Sequence, residues 1–245
     1  MAHRGTLAGQ VVVVAGASSG MGRATALAAA AQGATVVLAA RNERALHAVH
    51  TTIEEAGGIA TVVPTDATKP EAVQHLVATA RSMHGHIDAL VNSVGLNIKA
   101  RALTRLTIET WNDMVAANLD AAYYLTAAIV PIFREQNGGL LIHISSMAAR
   151  RPNMSGVAYQ ATKAGVAALA HGTMEEERDH GMRTTVIYPG LTDTPFIQQR
   201  PVPPTPEALA LALKPEDVAA ACLYVLQQPA HVHVPDLLLQ PARSL

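Results

Sequence analysis

The chain alternates between short runs of aliphatic residues and longer stretches in which small and apolar residues recur every three or four positions. The first run, 10–15, reads QVVVVA, the pattern of a strand buried on both faces. Gly16-Ala17-Ser18-Ser19-Gly20-Met21-Gly22 follows, and then RATALAAAAQ, which predicts a helix. The alternation repeats, with strands over 34–40, 60–64 and 88–92 separated by helices over 43–56 and from about 70 to 83. A long helical pattern runs from 107 to 134; Thr107 is placed to cap it and Pro131 is expected to kink or close it. A strand over 140–144, a helix starting near Tyr159, a strand over 184–188, a helix opening at 214–217 and a strand over 233–239 complete the pattern. This β-α-β-α order predicts an α/β fold with one parallel, doubly wound sheet. The stretch 191–213 carries Pro195, Pro201, Pro203, Pro204 and Pro206 and reads as an insertion rather than core. With no internal repeat and no linker, residues 1–245 are expected to form a single domain.

Composition narrows the class. At 49% hydrophobic and 15% charged residues, a large covered core is available and disorder is disfavoured. A net charge of −1 without a basic block argues against a nucleic-acid partner. Cys222, the single cysteine, rules out an internal disulfide and suits a reducing compartment; set in an alanine-rich helix, it reads as an inert core residue. The uncharged runs 5–22, 24–40 and 218–235 lie at the lower edge of membrane-spanning length, but Gly, Gln or Pro interrupts each. The start of the chain lacks an apolar leader core, so a cytoplasmic protein that does not enter a membrane is expected.

The strand-glycine-helix junction is the context a dinucleotide site needs: glycines admit the backbone to the pyrophosphate, and the helix N-terminus favours negative charge. Its spacing is G-x-x-x-G-x-G, and a tight structural turn is the competing reading. The second strand ends at Arg41 with no acid at its tip, which suits a 2′-phosphate better than a free ribose hydroxyl. Tyr159 and Lys163 lie four apart near a predicted helix start, so they share a face with Cβ atoms about 5–6 Å apart. A fixed ammonium beside a phenol favours the phenolate, and moving a tyrosine pKa from about 10 by about three units takes about 4 kcal/mol. Ser146 follows the 140–144 strand, where a hydroxyl is well placed to orient a substrate oxygen. A helix-face tyrosine covered by a lysine stem would give the same Tyr-Lys spacing. Asn118 sits mid-helix, where asparagine is unfavourable unless its amide has a job. His143 reads as a satisfied core histidine, and Glu175-Glu176-Glu177 as a solvated helix face. No metal site is expected, because His231 and His233 lack a third ligand at recognisable spacing.

Taken together, GASSGMG at 16–22, Asp66, Asn92-Ser93-Val94-Gly95, Asn118, Ser146, Tyr159, Lys163 and Pro189-Gly190 with Thr194 resemble, in order and spacing, the short-chain dehydrogenase/reductase family. The resemblance covers nearly the whole chain and fits the subfamily of about this length. It implies a Rossmann-type seven-stranded sheet in the order 3-2-1-4-5-6-7 and a nicotinamide cofactor at the strands' carboxyl ends. It also implies roles: Tyr159 as general acid/base, Ser146 steadying the substrate oxygen, Lys163 on the nicotinamide ribose and Asn118 holding a water linked to Lys163. Contacts to the cofactor would come from Gly16, Ser18, Ser19, Gly20, Met21, Gly22, Arg41, Asp66, Ala67, Asn92, Gly95, Pro189, Gly190, Thr192 and Thr194, with Asp66 at the adenine. The family turn usually reads Asn-Asn-Ala-Gly; Ser93 and Val94 depart from it, as does the lack of a C-terminal Asp-Gly-Gly.

The expected activity is therefore NADP(H)-dependent interconversion of a carbonyl and a secondary alcohol on a small organic substrate. A catalytically idle NADP-binding or scaffolding protein is the alternative. Substrate choice is expected to fall to 96–105, 147–154 and above all 191–213, a lid whose inner face would hold Phe196, Ile197, Leu209 and Leu211. A mid-sized, mostly apolar ketone or hydroxy compound suits that face better than a phosphorylated sugar, while Arg101, Arg150 and Arg151 leave room for an acidic group. A homo-oligomer, tetramer or else dimer, is expected to pack through the alanines at 116–117, 121–122 and 127–128.

Overall fold

The computed structural model describes residues 5–243. Residues 1–4 and 244–245, parts of the single-domain span expected from the sequence, lie outside the described residues. Seven parallel strands form one sheet in the order β3-β2-β1-β4-β5-β6-β7. They are β1 (Val11–Ala15), β2 (Thr35–Ala40), β3 (Ile59–Pro64), β4 (Ala89–Asn92), β5 (Gly139–Ile144), β6 (Met182–Pro189) and β7 (Asp236–Leu239). The last is shorter than its apolar run, because 233–235 stay outside the ladder.

Alternation of side chains assigns each strand residue a face. Val12, Val14, Val36, Leu38, Val91 and Ile142 point to one side, where α1 (Gly20–Ala31), α2 (Glu43–Glu55) and, after several further helices, α8 (Pro215–Leu226) cover them. Val11, Val13, Val37, Leu90 and Leu141 point to the other, under α3 (Pro70–His84) and α5 (Ala121–Gln136). Burial on both faces explains the valine-rich strands. The helix α6 (Val157–Glu177) lies on this second side against Val186 and Tyr188 of β6.

The long helical stretch departs from expectation in two places. It is α4 (Ile108–Val115), a π-helical turn over Ala116–Asp120, and then α5. Pro131 does not end it; α5 continues to Gln136 and closes on Asn137 in the left-handed conformation at φ 53°. From Ile108 to Gln136 the run is long and apolar enough, by length and composition, to cross a membrane. Its Leu125, Ile129 and Phe133 are buried in the core instead. Ala121 and Ala122 are also fully buried, so the outward face of α5 carries Tyr123 and Ala127. Glu177 is not solvated: it is 3% exposed and accepts a 2.6 Å hydrogen bond from Arg134 Nε, tying α6 to α5.

The proline-rich stretch is partly ordered against the body. It holds a 3-10 turn (Pro195–Gln199), the short α7 (Pro206–Leu211) and a bridge between Thr192 and Leu213, and Ile197 is buried.

Candidate active site

A groove of about 730 Å³ crosses the carboxyl ends of the central strands. At one end the backbone turns sharply from β1 into α1. Gly16 has φ +86°, and a Cβ there would come within 2.9 Å of the Ser93 backbone. A Cβ on Gly22 would lie 2.2 Å from the Gly16 carbonyl and 3.1 Å from the Ser93 Cβ. Both positions therefore need glycine, and Ser93 packs against that cradle. Helix α1 begins without a side-chain cap and without an acidic residue in its first turn, leaving free N–H groups beside Ser18, Ser19, Gly20 and Met21 on the groove wall.

The far end of the groove is formed by Ala40, Arg41, Asn42, Thr65, Asp66, Ala67 and Thr68. Asn42 caps α2 by accepting from the Ala45 N–H at 3.0 Å. Burial pushes the Asp66 carboxyl up, but hydrogen bonds from the Thr68 N–H (3.0 Å) and hydroxyl (2.8 Å) outweigh it. With the charges of Arg41 and Lys69 they hold the group below the usual carboxylate range. No other acid lines this end, so Arg41 is its cation at the tip of β2.

Tyr159 occupies the third position of α6 and Lys163 lies one turn on, its Nζ 6.0 Å from the phenol ring centroid. Lys163 is 4% exposed and donates to the carbonyls of Val94 (3.3 Å) and Ile144 (3.2 Å), joining the loop after β4 to the end of β5. Asn118 reads that same loop from the π turn. Its Oδ1 accepts the Leu96 N–H at 2.6 Å, while Nδ2 donates to the Leu96 carbonyl (3.0 Å) and the Thr162 hydroxyl (3.2 Å). An extra residue in the helical turn aims Asn118 inward, and π turns recur at functional sites. Asn92 works behind the groove: its Oδ1 accepts from the Val94 N–H (3.0 Å) and its amide nitrogen donates to His143 Nδ1 (3.0 Å).

The electrostatics differ from the simple Tyr-Lys pairing. Burial pushes the Tyr159 phenol up to about 12, and the groups that pull it back are the Ser146 hydroxyl, then Arg101 and Arg200. Burial alone draws Lys163 down to about 8. The cations that pull the phenol down are thus Arg101 and Arg200. His143, fully buried, is drawn down to about 3 by burial and by the charge of Lys163.

A second cavity, of about 90 Å³, adjoins the groove at Tyr159 and Phe196. Ser146, Pro189, Gly190 and Thr192 line it together with Arg101 and Arg200. Tyr159 and Phe196 face each other with ring centroids 6.0 Å apart. Of the residues picked from the sequence, Gly16, Ser18, Ser19, Gly20, Met21, Arg41, Asp66, Ala67, Gly95, Tyr159, Lys163 and Thr194 meet in the groove. Gly22, Asn92 and Asn118 stand behind it, bracing its walls. Arg150 is turned away, paired with Asp236 at 3.2 Å and stacked 4.9 Å from the Tyr188 ring centroid; neither it nor the exposed Arg151 lines either cavity. His233 Nε2 contacts the Thr184 carbonyl at 2.7 Å. Cys222 is buried, and burial pushes its thiol up to about 12. Sequence reading passed over Arg200, which no periodicity distinguishes, and over the link from His143 to Asn92, which joins the ends of neighbouring strands 51 residues apart.

The groove fits a dinucleotide: a glycine cradle that any Cβ would fill, an uncapped helix start beside it and a cationic far end. A family model described as short chain dehydrogenase matches residues 10–202. An uncharacterized oxidoreductase of Staphylococcus haemolyticus is 35% identical over 235 residues, 96% of this chain and 98% of that protein. A metagenomic short-chain oxidoreductase, solved in complex with NADP, superimposes with a TM-score of 0.84 at 31% identity, covering 98% of this chain and 100% of that one. A 3-ketoacyl-(acyl-carrier-protein) reductase from Brucella melitensis, solved with NADH, gives a TM-score of 0.88 at 27% identity, with 98% of this chain and 100% of that one covered.

Proposed function

The chain belongs to the short chain dehydrogenase family, and from that premise we propose that it interconverts a carbonyl and a secondary alcohol on a small organic substrate using NADP(H). It is an oxidoreductase of that family, and a nicotinamide cofactor suits its groove. The observation that carries the finer reading is the meeting of Tyr159, Ser146 and Lys163 where the groove joins the smaller cavity. A binding module has no use for a buried phenol and a buried ammonium side by side.

In this reading the bound cofactor supplies the hydride. Ser146 steadies the carbonyl oxygen, and Tyr159 donates the proton that this oxygen takes up. A phenol held up at about 12 is protonated at neutral pH, the form that reduction requires. Lys163 holds the nicotinamide ribose, and Asn118 keeps the floor of the site in register through Leu96. Arg41, which follows a β2 tip that carries no acid of its own, receives the 2′-phosphate and favours NADP(H) over NAD(H). The stretch 191–213 closes over the bound substrate, and the chain works as a cytoplasmic homo-oligomer.

The test is turnover of a ketone and aldehyde panel with NADPH, repeated for Tyr159→Phe. Loss of general acid assistance is worth about 10²–10⁴-fold, so the variant should fall by that order while NADPH affinity stays within a few-fold. A variant keeping half its activity sinks the role, and a wild type inert on every carbonyl favours the idle binding module.

A further inference from the structure

Arg101 and Arg200 are brought to the same small cavity from segments 99 residues apart, the loop after β4 and the stretch after the 195–199 turn. Arg101 is 8% exposed. Its Nε donates to the Ile98 carbonyl at 2.9 Å and an amino group to the Gln199 carbonyl, which clasps one segment to the other. Carbonyls satisfy donors without neutralising charge. Among the described residues neither arginine has a carboxylate partner, and no acidic side chain lines the cavity. Two like charges thus converge on one space, and a buried cation without a counterion is costly. Burial and the charge of Arg200 both draw the Arg101 guanidinium down, as expected for an uncompensated pair.

We propose, resting on the function above, that this cavity receives the carboxylate of a short oxo acid or its hydroxy acid, held by Arg101 and Arg200 beside Tyr159. A guanidinium fork matches a carboxylate with two parallel hydrogen bonds, and Arg101 has donors left after its two carbonyl contacts. Ser146 and Tyr159 line the same cavity, so an acid anchored there presents a nearby carbonyl oxygen to both. At about 90 Å³ the cavity is small beside the groove of about 730 Å³ that it joins, which suits a compact anchored group. In the reductive direction the substrate carbonyl carbon gains a hydride from NADPH and its oxygen gains the Tyr159 proton. Oxo acid, NADPH and one proton thereby balance to hydroxy acid and NADP⁺. This takes up the acidic group that Arg101 left open in the sequence, and Arg101 and Arg200 act as binding and specificity residues.

The experiment compares acids with their own esters on the full chain with NADPH: acetoacetate against methyl acetoacetate, and pyruvate against methyl pyruvate. In at least one pair, kcat/KM for the acid should exceed that for the ester at least tenfold. Arg200→Met, at a half-buried position, should cut the acid-to-ester ratio at least tenfold, mainly through KM for the acid. Arg101→Met should do the same, and Arg101→Lys should recover part of the ratio by restoring charge without the fork. Esters used as well as acids, or a ratio unmoved in both methionine variants, overturns the carboxylate site while leaving the oxidoreductase reading intact. Failure to turn over any acid, ester or simple ketone overturns both.

Discussion

Asn92 can offer His143 only one side of its amide, because its oxygen already accepts the Val94 N–H. The amide nitrogen therefore donates to Nδ1, and the opposite ring nitrogen donates to the Thr126 hydroxyl at 3.3 Å, which itself donates to the Ala122 carbonyl. This chain of contacts works only with a neutral imidazole. The folded-state value of about 3 lies below the ordinary 6.5, so between them the unfolded chain binds a proton that the folded state refuses. Stability is then lost as pH falls from 6.5 toward 3, at up to about 1.4 kcal/mol per pH unit. In denaturant titrations over this window His143→Gln should lose stability less steeply than wild type, by up to one proton; parallel curves would refute the assignment. Its burial was legible from the strand it sits in, but its partners were not, because they come from β4 and α5. Arg41 is the contrary case: the missing acid at the β2 tip is a local feature, readable without the fold. NADPH should outperform NADH by well over tenfold, and Arg41→Ala should erase most of that gap; a wild type preferring NADH would reverse the cofactor reading.

The π turn over Ala116–Asp120 is the element whose geometry the sequence concealed. Apolar spacing from 107 to 134 fits one unbroken helix, and one wide turn shifts the phase too little to stand out against that pattern. Strands and helices were legible for a physical reason: burial on both faces selects valine runs, and helices covering the sheet select residues every three or four positions. Backbone insertions and side-chain clasps between remote loops leave no such trace. Here the insertion aims Asn118 at both polar groups of Leu96, fixing the loop that Lys163 holds through Val94. Asn118→Ala removes both contacts and leaves two half-buried backbone groups without their partner, a cost of at most about 1–3 kcal/mol each. The Leu96 amide should then exchange with solvent at least tenfold faster while amides of β1 keep their protection. Unchanged protection at Leu96 would mean that the π turn does not brace this loop.

At the scale of the whole molecule, two neighbouring helices, tied together by Arg134 and Glu177, leave outward faces that none of the described residues covers. On α6, Ala161, Ala164, Ala168 and Gly172 are exposed at helical spacing, and a Cβ on Gly172 would meet nothing within 4 Å. On α5, Tyr123 is 55% exposed and Ala127 lies one turn further along. A solvated helix is ordinarily charged on its outer side, whereas small residues let a second helix approach to about 8–10 Å. Packing of that outer face against a second copy would also account for the membrane-compatible hydropathy of the Ile108–Gln136 run. The expected partner is a second copy of this chain, docked on α5 and α6. Light scattering at micromolar concentration should give two or four times 25.7 kDa, and the thermal midpoint should rise with protein concentration. The double variant Ala164→Glu, Ala168→Glu would force carboxylates into that contact, where an unpaired buried charge is strongly unfavourable. It should run as a monomer with a midpoint independent of concentration. A wild type already monomeric at that concentration would show that the small-residue face on α6 has another use.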